Sequence, residues 1–152
     1  MKEIIDLLVE KNLTLGSVES MTGGLFAAKI TSIPGASKVF KGTIVTYQTE
    51  EKINLLGVDK HLIKECGVVS SEVAASMAQK GQRLLDVDVC VSVTGNAGPT
   101  CEPGGKPVGC VYIAFTYKND TFIDRLLLLG SRDEIRNLTI DKLIEFIKKH
   151  LK

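Results

Sequence analysis

Apolar positions along this chain alternate between a helical spacing and a strand-like period of two. Lys2 to Lys11 carries Ile4, Ile5, Leu8 and Val9 as a helical stripe. Leu13 to Val18 reads as a strand. Thr22 to Ser32 reads as a helix, stopped by Pro34-Gly35. Phe40 to Tyr47, rich in β-branched and aromatic residues, reads as a strand, and Glu50 to Leu56 and His61 to Cys66 as short helices. Ser70 or Ser71 can cap a long helix with Val73, Ala74, Met77, Ala78, Leu84 and Leu85 inward. Val87 to Val93 alternates valines with smaller or polar residues and fits a central strand with its larger side chains on one face.

A Gly/Pro-rich loop, Gly95 to Lys106, follows that strand. Gly109 to Tyr117 and Thr121 to Leu129 read as two strands joined through Lys118-Asn119-Asp120 as a hairpin. Ser131-Arg132-Asp133-Glu134 matches a capping box, and Ile135, Leu138, Leu143, Phe146 and Ile147 give the last helix an apolar face. Helices and strands interleave early and a hairpin sits late. That order predicts an α/β fold, a mixed sheet with helices on both faces. With no linker, repeat or low-complexity tract, a single domain over residues 1–152 is expected.

A chain of 152 residues buries roughly two-thirds of its unfolded surface, enough for a core without metal or disulfide. Nineteen basic and eighteen acidic residues nearly cancel. No like-charge run reaches five, so neither a nucleic-acid arm nor a polybasic membrane anchor is expected. No stretch approaches the ~20 apolar residues of a membrane span, and a cytoplasmic location is the expectation. Cys66, Cys90, Cys101 and Cys110 lack C-x-x-C spacing, and His61 and His150 stand far apart, so no metal site is expected. Cys90 and Cys110 suit the core, Cys101 an exposed loop, and both histidines the surface.

The candidate chemistry begins at Glu19-Ser20-Met21-Thr22-Gly23-Gly24. A serine at a strand end, followed by a turn of small residues into a helix, sets a hydroxyl beside backbone N–H donors. The same residues also suit a plain helix cap. Two further small-residue or polar sites follow strands: Tyr47 to Lys52, and Thr94-Gly95-Asn96-Ala97-Gly98-Pro99, where ligands gather in open α/β sheets. Gly105-Lys106 is followed by Pro107 and cannot form a P-loop; G-x-G-x-x-G and H-E-x-x-H are absent. A serine nucleophile without a nearby histidine needs another base. A lysine serves if burial lowers its pKa, and Lys52, with Tyr47 as a proton relay or orienting group, is the candidate.

Taken in order, Glu19-Ser20-x-Thr22-Gly23-Gly24, Gly42-x-x-x-x-Tyr47-x-x-x-x-Lys52, Leu56-Gly57-Val58, Gly67-x-Val69-Ser70, Thr94-Gly95-x-Ala97-Gly98-Pro99 and Lys106-Pro107-Val108-Gly109 resemble the CinA C-terminal domain family, whose stand-alone members include nicotinamide-nucleotide amidases. The resemblance runs from about Leu13 to the last helix. It implies a three-layer α/β/α sandwich that hydrolyses the carboxamide of nicotinamide mononucleotide to nicotinic acid mononucleotide and ammonia in pyridine-nucleotide salvage. It implies a serine with a lysine and a nearby tyrosine, without metal or other cofactor. Those roles fall on Ser20, Lys52 and Tyr47. Substrate contacts are expected from Thr22, Gly23 and Gly24, with backbone N–H groups near Thr22 and Gly23 facing the oxyanion. Thr94, Gly95, Asn96, Ala97 and Gly98 are expected to seat the nucleotide. Arg132 and Arg136 match a basic pattern at the start of the family's last helix and would either pair with a phosphate or cover the helix surface. A homodimer or other homo-oligomer is expected.

Two departures stand out: Met21 stands where the family usually has cysteine, which bears on packing beside the nucleophile, and Thr100-Cys101-Glu102-Pro103-Gly104-Gly105 follows Pro99 where many amidases of the family have an acidic residue and two glycines, which bears on loop contacts and substrate preference. Both keep open a nucleotide-binding module without turnover, or an amidase for another amide.

Overall fold

A computed structural model describes residues 1–152. In chain order the elements are α1 (Lys2–Glu10), β1 (Leu15–Glu19), α2 (Leu25–Thr31), a 3-10 turn (Ala36–Lys38), β2 (Phe40–Val45), α3 (Thr49–Asn54), α4 (Lys60–Cys66), α5 (Ser71–Leu85), β3 (Val89–Gly95), β4 (Cys110–Tyr117), β5 (Asp120–Leu127) and α6 (Arg132–Leu151). The sheet has the order β2-β1-β3-β4-β5. The first three strands are parallel, and β4 and β5 complete it antiparallel. This is the mixed α/β sheet that the sequence predicts.

β3 explains the layering. Val89, Val91 and Val93 enter a large cluster with Ile4 and Leu8 of α1, Phe26 and Ile30 of α2, and Ile135 and Leu143 of α6. On the opposite face, Cys90 joins Val18, Val73 and Met77 beneath α5, and the Ser92 hydroxyl donates to the Ala74 carbonyl at 2.6 Å. Alternation along β3 therefore puts the valines on one face, as the spacing predicts, and the smaller Cys90 and Ser92 on the other, which is buried as well. α5 lies close because Gly81 has no side chain: a Cβ there would come within 2.2 Å of a Val18 methyl.

Several boundaries and faces differ from the sequence reading. α2 starts at Leu25 and not at Thr22, because Gly23 and Gly24 take φ of 58° and 97°, left-handed values that a helix interior excludes. β1 extends to Glu19, and β3 starts at Val89 but runs on to Gly95. Leu84 is 57% exposed; the last turn of α5 presents Leu85 over Gly16 instead. Leu138 also faces outward, while Thr139 takes the inward position and bonds the Ile135 carbonyl at 2.7 Å. Tyr117 pairs with Asp120, so the hairpin turn is only Lys118-Asn119. His150 does not lie free on the surface. α6 continues to Leu151, and the imidazole packs on Phe122 at 4.2 Å and Phe146 at 4.6 Å between ring centroids. Cys90 and Cys110 are buried and Cys101 is exposed. No helix is long and apolar enough to cross a membrane.

Candidate active site

Three strand ends meet at Ser20. Its N–H donates to Val93 O of β3 at 3.2 Å, and Thr46 N–H, just past β2, donates to Glu19 O at 2.9 Å. The pleat then sends neighbouring side chains to opposite faces. Glu19 turns toward α2 and Ser20 toward α3.

The Glu19 carboxylate is buried and accepts three backbone N–H groups, from Gly24 (3.1 Å), Phe26 (3.1 Å) and Ala27 (3.0 Å). It caps α2 from the strand and satisfies the helix donors that would otherwise attract an anion. Gly23 N–H is also taken, by Ser20 O at 3.0 Å. The unengaged amides of this turn are therefore those of Met21 and Thr22; of the expected pair Thr22 and Gly23, the Gly23 N–H is occupied. Arg136 fixes the turn from behind: its Nε donates to Met21 O and an Nη donates to Thr22 O, each at 3.1 Å. The Met21 side chain packs into the large core cluster.

On the other face, Lys52 projects from α3 and is 1% exposed. Its Nζ lies 2.8 Å from Ser20 Oγ and donates to Thr46 O at 2.6 Å. Burial pushes this amine down from the usual lysine range to about 8, since desolvation disfavours the charged form. Ser20 is itself only 7% exposed. A hydroxyl and a desolvated amine are in contact, and the two backbone N–H groups that follow Ser20 in sequence are without partners; these are the kinds of group that acyl transfer without histidine uses.

Tyr47 is 58% exposed, and its hydroxyl accepts from Arg132 at 2.7 Å. It makes no hydrogen bond to Ser20 or Lys52. Arg132 also donates to Gly98 O at 2.6 Å, so the guanidinium joins the segment after β2 to the loop after β3. Both arginines thus hold loops in place.

Near the end of β3, Thr94 is buried and donates to Val68 O at 2.9 Å. The Asn96 side chain accepts from Gly98 N–H at 2.9 Å and donates to Thr100 O and Lys106 O. Asn96 thus shapes the loop from within, while Thr94 ties the strand end to the segment before α5. Gly98 has φ of 77° and a Cβ there would meet Val108 at 2.6 Å; Ala97 is buried. A polar cavity of about 970 Å³ opens between this loop and the Cys66–Val69 segment, with Thr49 of α3 and Gly95 among its walls. Ser20, Lys52 and Tyr47 do not line it. No three His, Cys, Asp or Glu side chains come together as metal ligands.

Glu19 and Thr46 carry site geometry that sequence reasoning left unassigned. Glu19 lies next to Ser20 in sequence, but only the position of α2 reveals what its carboxylate grips.

The family model for the CinA C-terminal domain matches residues 1–151. The chain belongs to the CinA C-terminal domain family. A CinA-like protein from Petrotoga mobilis is 44% identical over 133 residues, covering 88% of this chain and 33% of that protein. A relative from Thermoanaerobacter sp. (strain X514) is 42% identical over 152 residues, 99% of this chain. The chain spans 37% of the length of that relative. The crystal structure of the competence/damage inducible protein CihA from Agrobacterium tumefaciens superposes with a TM-score of 0.93 at 31% identity, covering 97% of this chain and 91% of that one. A CinA superfamily protein from Enterobacter cloacae shares the fold, with a TM-score of 0.95 at 24% identity over 99% of this chain and 89% of its own.

Proposed function

We propose that this CinA domain is an amidohydrolase that converts nicotinamide mononucleotide and water to nicotinic acid mononucleotide and ammonia. The observation that carries this reading is the 2.8 Å contact between Ser20 Oγ and a Lys52 amine lowered to about 8. Neutral Lys52 takes the Ser20 proton while Oγ bonds to the carboxamide carbon. The resulting oxyanion accepts from the Met21 and Thr22 amides; one such donor is worth about 3 kcal/mol of barrier. Lys52 then returns the proton to the leaving nitrogen, the C–N bond breaks and ammonia departs. Water attacks the Ser20 ester with Lys52 again as base, and the carboxylic acid and free serine are released.

Tyr47 acts at the rim. Its exposed ring, fixed through Arg132, suits a flat heterocycle better than a proton relay to the dyad. The loop from Gly95 to Gly98 and the adjoining cavity are the natural seat for the ribose and phosphate. Association of copies in the cytoplasm belongs to the same proposal: β5 is an edge strand whose Ile123 and Leu127 remain exposed.

Ammonia release measured in parallel from nicotinamide, its riboside, its mononucleotide and NAD tests the reading. It expects turnover of the mononucleotide above the other three. Preference for another amide would replace the substrate. Tight binding of the mononucleotide without product would replace the enzyme by a binding module.

A further inference from the structure

We infer that the Thr46 hydroxyl is a further oxygen partner of the Lys52 amine, a positioning residue engaged when that amine carries the proton received from Ser20. The inference rests on the reading of Lys52 as the base of the proposed reaction.

A lysine ammonium has three N–H donors. Two acceptors meet Lys52 Nζ in this structure, Ser20 Oγ at 2.8 Å and Thr46 O at 2.6 Å. The third donor has no partner, on a side chain almost wholly removed from water. Thr46 Oγ1 is also buried and also has no partner. This is unusual within the molecule. The buried hydroxyls of Ser17, Ser92, Thr94 and Thr139 are all hydrogen-bonded; the two orphans are Thr46 and Thr22, both within two residues of the serine or of the carbonyl that grips Lys52. An unpaired buried polar group is unfavourable. An orphan acceptor and an unpaired donor on two residues already joined through Thr46 O would relieve each other on meeting.

The covalent arrangement makes this inexpensive. The carbonyl and hydroxyl of Thr46 belong to one residue, whose backbone is pinned beside Ser20 by the bond from Thr46 N–H to Glu19 O. Rotation about χ1 moves the hydroxyl without moving that carbonyl, and is the adjustment the inference requires. The proton transfer itself conserves all atoms: the Ser20 proton passes to Lys52, the enlarged set of N–H donors spans Ser20 Oγ and both Thr46 oxygens, and the proton leaves again on the departing nitrogen.

No charged neighbour competes for this control. Glu50 and Glu51 on α3 are exposed. Glu19 of β1 is occupied by the amides of α2, and Asp59 caps α4. Arg132 and Arg136 of α6 are bonded to Gly98 and Tyr47 and to Met21 and Thr22. Burial alone accounts for the lowered Lys52.

A hydroxyl oxygen that accepts from the ammonium favours the charged form, so removing it lowers the lysine further. The test is an NMR titration of the full chain labelled with ¹³C-lysine, with the Lys52 signal assigned by its loss in Lys52→Met. The Lys52 midpoint is expected to fall by about one unit in Thr46→Val, the equivalent of one hydrogen bond to a charged group. It is expected to stay at the wild-type value in Thr46→Ser. Thr46→Ala supplies a second hydroxyl-free variant should valine disturb the packing. Equal midpoints in all variants, a rise on loss of the hydroxyl, or a fall in Thr46→Ser as large as in Thr46→Val would overturn the inference. Because the titration uses no substrate, it is independent of the amidase assay: a shifted midpoint without turnover would sink the proposed reaction and leave the Thr46–Lys52 contact standing.

Discussion

Glu19 Oε2 accepts the Phe26 N–H at 3.1 Å and so closes the start of α2 with a charge that comes from β1. The same carboxylate holds Gly24 and Ala27. Strand and helix are thereby locked on either side of the turn that carries Ser20. In Glu19→Ala three buried or half-buried amides lose their acceptor. Unfolding in urea is expected to show a loss of about 2–4 kcal/mol, with Glu19→Gln between the two. A variant as stable as wild type would mean that the carboxylate does not hold the turn.

The buried amine makes activity depend on pH in a defined direction. Lys52 is lowered from 10.5 to about 8, so its neutral, basic form grows as pH rises through about 8. With chemistry limiting, the rate should climb about tenfold per unit below that point and level off above it. A rate that is flat from pH 6 to pH 9 would contradict a titrating lysine base.

Stability should follow the same group. The unfolded chain holds the Lys52 proton up to the ordinary lysine value, whereas the folded chain releases it near 8. Between those values the unfolded state binds more protons, and stability therefore rises with pH. The contribution is fully present above 10.5 and is lost as pH falls through about 8. Lys52→Met should remove this component, which denaturant titrations at several pH values on both proteins would reveal as a flatter stability profile.

Tyr47 offers a sharp contrast with the dyad. Its hydroxyl meets Arg132 and not Lys52. Tyr47→Phe should keep kcat within about threefold and raise KM by up to about tenfold, the range of one partly exposed hydrogen bond. Steady-state kinetics decide this. A fall in kcat comparable to that of Lys52→Ala would return the phenol to the proton path.

Much of the architecture was legible because it is local. The valines of β3 and the Ser131 capping box announce their elements from spacing alone, and the capping box is present as read. What was not legible depends on contacts across the fold. Thr22 looked like a helix start, but the cap comes from Glu19 on a neighbouring strand. Lys52 sits beside Glu50 and Glu51 in a short polar helix, and nothing in that hexapeptide reveals that stacking at three strand ends removes it from water. Arg132 and Arg136 were recognisable as basic residues at a helix start, yet their targets are carbonyls and a phenol more than 30 residues away in sequence. His150 lies near the chain end, where fraying is common, but three phenylalanines hold it in place.

The most direct test of the central claim is ammonia release from nicotinamide mononucleotide by wild type, Ser20→Ala and Lys52→Ala, each first shown to be folded. A nucleophile and its base act as a unit, so both variants should lose at least about a thousandfold in kcat. Wild-type turnover that persists in Ser20→Ala would contradict the account.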